Sequence, residues 1–381
     1  MKILYLHSNS LDITKANMHQ TVAMCNAFAD SGNDVILMVP TLGYANKQRL
    51  KLFKKNYNSI NFKVYFRHVS LKEKLSRYTN TSFKCKEIED IDYDIIFTRD
   101  PSSLHAALHT KKKILFEIHN NKIHQKSTIL NYYWSTFVKK ISKLDRFKLI
   151  TISESLRDYW INLGVQQNDI FTLHDGFDFN SYEKILDQNL ARKDLGLELQ
   201  KKYACYTGSL DKDRGIDNLI HLASKITSIE VIVVGGTPTQ VRFYKKIAND
   251  QKLSNIKFVG RVNHQEIPKY LYASDYLIGV WSKHIPTINY CSPLKIFEYM
   301  AAGKIIVAQG YKTIKEVLKN GYNSVIIEPD SKESLVEAFN DIINNEENYS
   351  KIGNQARKDA FEQYSWKVRV EKIFKSINIK Q

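Results

Sequence analysis

The chain is poor in the residues that mark several protein classes. Its 381 residues include four cysteines, 15 glycines and seven prolines. The cysteines lie far apart with no Cys-x-x-Cys pair, which excludes a zinc ribbon and argues against a disulfide framework. So little glycine and proline excludes a collagen-like or low-complexity chain. No apolar run approaches the ~18 residues of a membrane-spanning helix. The first apolar run of the chain is too short and gives way to polar residues too early for a signal peptide. We expect a soluble, cytoplasmic protein.

Short apolar strands that alternate with amphipathic helices dominate what is present. The alternation predicts parallel sheets covered by helices on both faces, with ligands beyond the carboxyl ends of the strands. Apolar periodicity lapses at 183–202, so we predict two doubly wound α/β domains facing a cleft, at 1–183 and 200–363. The predicted strands are 3–6, 35–39, 95–98, 114–118, 149–152, 203–207, 230–234, 256–259, 276–279, 305–308 and 324–327.

Positive charge is concentrated in the first half of the chain. The net charge is +16, and residues 47–86 hold twelve Lys and Arg against one acid, while 111–148 hold ten against two. Such a surface attracts phosphates, anionic lipid or nucleic acid, and it also keeps a protein soluble without any partner. We predict peripheral contact with an anionic membrane and no nucleic-acid partner.

Residues 129–148 favour the membrane interpretation. Their mixture of aromatic and basic residues is typical of a helix that lies at a membrane surface. The same aromatic residues could equally form the core-facing stripe of an ordinary helix. The residues concerned are Tyr132, Tyr133, Trp134, Phe137, Lys139, Lys140, Lys143 and Arg146.

Two loops of the second half have features of a phosphate site. Gly208 and Ser209 follow a predicted strand, and Arg214 precedes the next predicted helix. Backbone N–H groups with a nearby guanidinium can bind a diphosphate, although strand–glycine–helix junctions are common in such sheets. Gly235 follows the next strand and lets backbone approach a ligand closely. Neither a P-loop nor a nicotinamide-binding pattern is present.

Residues 291–303 form the most specific segment. Ser292 suits a helix N-cap and Pro293 the first helical position. The N–H groups of Leu294 and Lys295 would then face an anion, with the helix dipole behind them. Lys295 can bind a phosphate and Glu298 can accept hydrogen bonds from vicinal hydroxyls. A solvent-exposed ion pair between these two side chains explains their spacing equally well.

These segments resemble the GT-B retaining glycosyltransferases of family four. The resemblance also rests on Val259-Gly260-Arg261-Val262, Ser153-Glu154-Ser155-Leu156, Asp175-Gly176-Phe177-Asp178 and Tyr364-Ser365-Trp366. It implies that the final helix, 364–381, packs back on the first domain. It also implies that Arg214 and Lys295 hold the nucleotide diphosphate, that Glu298 binds the ribose and that Val262 contacts the base through its backbone.

The predicted donor site follows from the loops and the resemblance together. The donor is a UDP- or GDP-linked sugar. No cofactor and no metal are expected, because cations with a helix N-terminus can balance the leaving diphosphate. The predicted donor-binding residues are Gly208, Ser209, Arg214, Gly235, Val262, Tyr290, Pro293, Leu294, Lys295 and Glu298.

The chain departs from the family pattern at three places. Tyr290 stands where the family has its first glutamate, Ser209 stands where an arginine is usual, and residues 15–19 replace a Gly-Gly pair. That last segment contributes the predicted acceptor-binding residues Asn17 and His19. The first two departures favour the alternative that the protein is a non-catalytic nucleotide-sugar-binding subunit of a glycan-assembly complex.

Polar residues end two predicted strands of the first half. A single histidine such as His119 is more often structural, but the resemblance implies a histidine beside the reacting centre. Arg99 can meet an acceptor phosphate. Asp100 can act as a base or cap the following helix, and the cap is the favoured interpretation. The predicted catalytic residues are therefore His119, Arg99 and Asp100.

The resemblance implies a retaining hexosyltransferase. We expect it to move a hexose from the nucleotide sugar to a lipid-linked or growing surface-polysaccharide acceptor, at the cytoplasmic face of the cell membrane. Retention is expected to proceed on one face of the sugar, with the departing phosphate helping to deprotonate the acceptor.

Overall fold

The structure, a computed structural model, describes residues 1–7, 16–41, 48, 50–51, 53–54, 60–68, 85–122 and 127–377. The chain divides into two compact units. The first comprises Met1–His174 with Trp366–Gln381, and the second comprises Asp175–Ser365. The divisions therefore fall at 174 and 365, whereas the sequence places the end of the first domain at 183 and the start of the final helix at 364.

The first unit is built on a seven-stranded sheet whose pairings are all parallel. In spatial order its strands are β3 (Lys63–His68), β2 (Asp34–Thr41), β1 (Lys2–Leu6), β4 (Ile95–Thr98), β5 (Lys113–Ile118), β6 (Phe147–Thr151) and β7 (Ile170–Thr172). Its helices are α1 (Ala16–Asp30), α2 (Cys85–Glu89), α3 (Pro101–Leu108), α4 (Thr128–Ile141) and α5 (Glu154–Asn162), together with a last helix, Trp366–Ser376, and a 3₁₀ turn at Gln167–Asp169.

The inner strands are buried on both faces, so they are nearly continuous apolar runs that the sequence reveals readily. The two edge strands were not predicted. Strand β3 mixes charged, aromatic and apolar residues and exposes Tyr65, and β7 has only three residues. A half-exposed or very short strand gives little periodic signal.

The second unit is built on a six-stranded sheet that is also parallel throughout. In spatial order its strands are β10 (Ile256–Gly260), β9 (Ile229–Val234), β8 (Lys202–Thr207), β11 (Tyr276–Gly279), β12 (Ile305–Gln309) and β13 (Val325–Ile327). Its helices are α6 (Phe179–Tyr182), α7 (Gln188–Asp194), α8 (Ile216–Lys225), α9 (Pro238–Asp250), α10 (Ile267–Ala273), α11 (Leu294–Ala302), α12 (Lys312–Lys315), α13 (Lys332–Asn344) and α14 (Glu346–Gln363), with a 3₁₀ turn at His264–Glu266. The last helix of the chain, which belongs to the first unit, is α15 (Trp366–Ser376).

Each sheet reverses its strand order once, between β1 and β4 in the first unit and between β8 and β11 in the second. The prediction of two doubly wound α/β domains is confirmed. Ligands of such sheets bind at the carboxyl ends of strands beside the reversal, which directs attention to the residues that follow β1, β4, β8 and β11. Every helix among the described residues is too short or too polar to cross a bilayer.

Candidate functional site

Three glycines bring the strand ends of the second unit into close contact. Gly208, Gly235 and Gly260 lie at the ends of β8, β9 and β10. The Gly208 N–H donates to Val234 (3.0 Å) and the Gly235 N–H donates to Gly260 (2.8 Å). A Cβ atom added to Gly235 would lie 1.9 Å from the Gly208 carbonyl oxygen, so only glycine fits there. The result is a strand-end surface made of backbone.

Lys295 in the first turn of α11 lies against this surface. A Cβ atom on Gly208 would lie 3.0 Å from the Lys295 Nζ. The same Nζ lies 3.8 Å from the ring centroid of Tyr206 and 5.3 Å from that of Trp281, neither of which the sequence analysis identified. Aromatic faces attract an ammonium group, so the two rings hold the lysine without neutralising it.

Among the described residues, the charge of Lys295 has no close anionic partner. Within the described residues, no carboxylate lies within the 4.0 Å ion-pair distance of its ammonium group. Burial, and then the positive charge of Arg214, lower the Lys295 pKa to about 7, and the more distant Glu298 opposes them only in part. Two cations that repel each other form a surface suited to an anion such as a diphosphate.

Arg214 is placed by the loop between β8 and α8. Its N–H donates to the Asp211 carbonyl (2.9 Å), and Gly215 follows with φ of 77° as the N-cap of α8. A Cβ atom on Gly215 would lie 3.1 Å from the backbone nitrogen of Trp281, so the Arg-Gly step packs directly on the next strand end. No ion pair of Arg214 is formed with any residue in the part of the chain that the structure describes.

Tyr299 connects the two halves of this surface. Its buried hydroxyl lies 2.7 Å from the backbone nitrogen of Thr207, which donates to it, and 3.2 Å from the Thr207 hydroxyl. Thr207 precedes Gly208, and Tyr299 lies one helical turn after Lys295, so this contact fixes the loop relative to the lysine. The i,i+4 spacing from Lys295 is the signal that could have identified Tyr299.

The start of α11 differs from the prediction. Pro293 is the N-cap and Leu294 the first helical residue, so the predicted roles of Ser292 as N-cap and Pro293 as first helical residue are wrong. The Ser292 hydroxyl instead accepts a hydrogen bond from the buried N–H of Asp175 (2.9 Å). The open N–H groups of a helix start remain near Leu294 and Lys295.

Glu298 pairs with a histidine rather than with Lys295. Its Oε1 lies 2.8 Å from His264 Nε2, and His264 comes from the 3₁₀ turn after β10. Burial lowers the pKa of His264, but the charge of Glu298 and its hydrogen bond outweigh burial and raise that pKa overall. The solvent-exposed Lys295–Glu298 pair is therefore absent among the described ion pairs, and His264 is a neighbour that the sequence analysis missed.

Three further predicted donor residues lie on the surrounding loops. Ser209 is exposed, and its carbonyl accepts a hydrogen bond from the Tyr206 hydroxyl (3.1 Å). Val262 is half-buried and packs against the core of the second unit. Tyr290 is half-buried in a turn where its N–H donates to Thr287 (2.9 Å). Their roles in binding stay predictions.

In the first unit, His7 and Asp100 meet where β1 and β4 end. His7 Nδ1 lies 3.5 Å from an Asp100 carboxylate oxygen. Asp100 occupies the N-cap position of α3, but its side chain makes no capping hydrogen bond. The favoured interpretation of Asp100 as a helix cap is therefore wrong, because its carboxylate faces the imidazole of His7.

His119 and Arg99 are connected through two buried residues that the sequence analysis did not single out. Glu117 precedes His119 by two residues, so both side chains lie on one face of the sheet. One Glu117 oxygen accepts hydrogen bonds from His119 Nε2 (2.5 Å) and Gln20 Nε2 (2.9 Å). Arg99 donates to the amide oxygen of the same Gln20. Burial and then the charge of Arg99 lower the His119 pKa to about 4.

The predicted acceptor residues lie at the start of α1, close in sequence to Gln20. Asn17 and His19 are both half-buried, and the Asn17 carbonyl accepts a hydrogen bond from the Thr21 hydroxyl (2.9 Å). Lys15, the first residue of the segment that replaces the glycine pair, lies outside the described residues. No cluster of three or more His, Cys, Asp or Glu suited to a metal occurs in the residues that the structure describes.

Family models match both units. Residues 187–359 match the model for glycosyl transferases group 1, and residues 19–181 match the model for glycosyltransferase family 4. Together the two matches span most of the chain. The chain belongs to the group 1 glycosyltransferases. The family that the sequence motifs indicated is thus confirmed.

Relatives of this glycosyltransferase include an uncharacterized glycosyltransferase, MJ1069, of Methanocaldococcus jannaschii. It is 23% identical over 306 residues, which are 75% of this chain and 76% of the relative. The O-antigen chain mannosyltransferase C of Escherichia coli is 23% identical over 287 residues, 72% of this chain and 71% of that protein.

Solved structures share the fold over the whole chain. A glycosyltransferase from Rickettsia africae has a TM-score of 0.78 at 16% identity and covers 100% of this chain and 99% of its own. Anabaena Alr3699/HepE, solved in complex with UDP and glucose, has a TM-score of 0.75 at 17% identity and covers 99% of both chains.

Replacing Lys295 by alanine should weaken binding of UDP or GDP by about 1.5 to 3 kcal/mol, the range for a hydrogen bond to a charged group. Arg214→Ala should act on the same diphosphate, so the double variant should lose less than the two single losses combined. Titration calorimetry measures the affinity of both single variants and of the double variant for the nucleotide. Arg242→Ala, which removes an exposed cation from α9, is the matched control. Unchanged affinity in Lys295→Ala would remove this lysine from the site.

Affinity for the nucleotide diphosphate should fall as pH rises above 7. The free protein has a Lys295 pKa of about 7, whereas a bound diphosphate favours the charged ammonium, so binding requires proton uptake above that pH. The fall should approach about tenfold per pH unit. The terminal phosphate, with a pKa near ~6, is already ionised there and does not cause the trend. In Lys295→Ala, calorimetry should find a flat dependence; an equally steep fall would assign the proton to another group.

Proposed function

We propose that this glycosyltransferase moves a hexose from a UDP- or GDP-linked sugar to a lipid-linked or growing surface-polysaccharide acceptor, with retention of configuration. The observation that carries the proposal is the pair of cations formed by Lys295, beside the backbone of Gly208, and Arg214, whose charge lowers the Lys295 pKa; neither has a carboxylate at ion-pair distance among the described residues. Support comes from the similar Anabaena protein, which was solved with UDP and glucose, and from the mannosyltransferase role of the Escherichia coli relative.

The second unit supplies what a leaving diphosphate needs. Charge develops on the phosphate oxygens as the bond to the anomeric carbon breaks, and fixed positive groups lower the energy of that state most. Lys295 and Arg214 provide two charges, and the first N–H groups of α11 add the positive end of a helix dipole. In the proposed reaction these groups balance the leaving group without a metal ion.

Retention is proposed to proceed on one face of the sugar. The acceptor hydroxyl oxygen forms a bond to the anomeric carbon while the bond from that carbon to the phosphate oxygen breaks. The hydroxyl proton passes to the departing phosphate. His119 suits a supporting role in this scheme, because burial and Arg99 hold its pKa at about 4 and a neutral imidazole of that pKa is a weak base. It can accept a hydrogen bond and orient a hydroxyl.

A non-catalytic nucleotide-sugar-binding subunit is the second candidate. Tyr290 in place of a glutamate removes a carboxylate from the expected donor site, and Ser209 in place of an arginine removes a cation. Either change alters contacts to the donor while leaving Lys295 and Arg214 in place. Binding would then persist without turnover.

A panel of nucleotide sugars separates the two candidates. We expect one UDP- or GDP-sugar to raise the melting temperature, since a ligand at 100 times its dissociation constant adds about 2.7 kcal/mol of stability. The same sugar nucleotide should be hydrolysed slowly by the purified protein, and Lys295→Ala should reduce both effects. Stabilisation with no hydrolysis favours the binding subunit. Failure of every UDP- and GDP-sugar to bind contradicts both candidates.

Helix α4 supports the further proposal that the enzyme acts at the cytoplasmic face of the cell membrane. Part of the helix packs inward and part is exposed, so each of the two interpretations left open by the sequence applies to some of its residues. Trp134 and Phe137 pack around His105, while Ile129 and Tyr132 are 82% and 76% exposed. Exposed lysines follow at 139, 140 and 143. Arg146, by contrast, donates to carbonyl groups at the end of α3.

Charge reversal of Lys139, Lys140 and Lys143 to glutamate should release the protein from anionic vesicles. Each Lys near such a surface contributes about 1 kcal/mol, and high salt should mimic the substitution. Co-sedimentation with anionic and neutral vesicles is the measurement. The control reverses three exposed lysines of the second unit, Lys245, Lys246 and Lys257. Equal loss in both triple variants, or equal recovery with both vesicle types, would leave the charge without a specific membrane role.

A further inference from the structure

A buried ion pair connects the end of the chain to the face of the sheet that carries His119. Arg369 of α15 is 2% exposed, and its Nη2 lies 2.8 Å from an oxygen of Glu117, which is 0% exposed. The contact with Glu117 is an ion pair, and the guanidinium donates hydrogen bonds from Nε to the His174 carbonyl (2.8 Å) and from Nη2 to the Leu173 carbonyl (3.0 Å). Because the guanidinium is planar and held at three points, it presents a fixed charge to the carboxylate.

Arg369 is the positive charge that does most to keep Glu117 ionised. Burial by itself would raise the pKa of this carboxyl group, because it disfavours the charged form. The charge of Arg369 acts in the opposite direction, with help from His119 and Arg99, and the pKa lies well below its ordinary value. Glu117 is therefore a carboxylate, which can only accept hydrogen bonds. Its second oxygen, Oε1, accepts from Gln20 and from His119.

An ionised Glu117 determines the tautomer of His119. Since the carboxylate has no proton, the 2.5 Å contact to His119 Nε2 requires the proton to be on that nitrogen. In the neutral ring the other nitrogen, Nδ1, is then the acceptor. Nδ1 has no hydrogen-bond partner within the described ranges, and the His119 side chain is 16% exposed. The groups that face the ring are Glu117, Gln20, Arg99 and Arg369.

We infer that Arg369 is a positioning residue for His119: by binding Glu117 it fixes the Nε2–H tautomer and presents Nδ1 as an acceptor for a sugar hydroxyl. Only the identity of that hydroxyl rests on the proposed function. A purely structural role for the ion pair, as an anchor for α15, predicts a loss of stability but no effect on the ring of His119.

The tautomer can be measured without any substrate. In the full-length protein labelled with ¹⁵N in its histidine rings, two-bond ¹⁵N–¹H spectra distinguish a protonated from an unprotonated ring nitrogen, and a His119→Gln variant assigns the signal. We expect an unprotonated Nδ1 and a protonated Nε2 at pH 7. Arg369→Gln should convert this to a mixture of tautomers. A protonated Nδ1 in the native protein would overturn the inference.

Two further variants keep the measurement decisive. Arg67→Gln removes another buried arginine, which lies on the far edge strand β3 and pairs with Glu87, whose side chain is 36% exposed. This variant should leave the His119 signal unchanged. Glu117→Gln preserves shape but allows the side-chain amide to donate or accept, so it should release the tautomer even if Arg369→Gln folds poorly. An unchanged single tautomer in Glu117→Gln would show that Glu117 does not fix the ring.

Kinetics provide the second readout. With the nucleotide sugar found by the panel above, Arg369→Gln and Glu117→Gln should lower kcat by about 10- to 100-fold, the size of effect caused by a misplaced group. KM for the nucleotide sugar should stay constant, since the diphosphate-binding side chains are in the second unit. Arg369→Lys should recover part of kcat, and Arg67→Gln should keep it. Equal losses of kcat in Arg67→Gln and Arg369→Gln would show that the ion pair of Arg369 with Glu117 only anchors α15. Absence of turnover in the native protein contradicts the proposed function, and the tautomer alone then decides this inference.

Discussion

The second unit keeps two cations together in partly buried surroundings where no carboxylate of the described chain neutralises Lys295. Burial disfavours the charged ammonium, and the neighbouring Arg214 disfavours it further, so the Lys295 pKa falls to about 7. Such repulsion lowers the stability of the empty state, and an anion between the two groups relieves it. The contrast with Glu117 is informative, because that buried carboxylate has a cation, an imidazole and an amide as partners.

Backbone contacts make this charge arrangement specific. Gly208 and Gly235 approach so closely that no side chain fits between the two strand ends. Tyr299 then fixes the end of β8 to α11, which carries Lys295. The N–H groups of Gly208 and Gly235 are used within the sheet, so the backbone donors near Lys295 are the first N–H groups of α11, and helix N-termini bind phosphate in general.

The sequence predicted the fold well because the inner strands are buried on both faces and read as apolar runs. Local motifs also predicted a donor site at Arg214 and Lys295, whose charges the structure brings near each other. The sequence analysis missed Tyr206 and Trp281, because apolar strand residues resemble any other core residue until their position beside Lys295 is known. Arg369 and Glu117 were missed for a related reason, since their contact joins segments that are far apart in sequence.

The helix-cap predictions from local sequence were wrong where a residue distant in sequence contacted the capping side chain instead. Ser292 has the side chain and spacing of an N-cap, but its hydroxyl instead satisfies the buried N–H of Asp175. Asp100 occupies a cap position but turns towards His7. An unsatisfied buried donor costs about 1 to 3 kcal/mol, as much as a cap contributes, so tertiary contacts can decide such cases.

A crystal structure of the protein with bound UDP or GDP tests the central claim most directly. The account predicts that the diphosphate lies between the Lys295 Nζ and the Arg214 guanidinium, against the backbone of Gly208, with both side chains at hydrogen-bond distance from phosphate oxygens. A nucleotide bound elsewhere, or one whose phosphates contact neither cation, would contradict it.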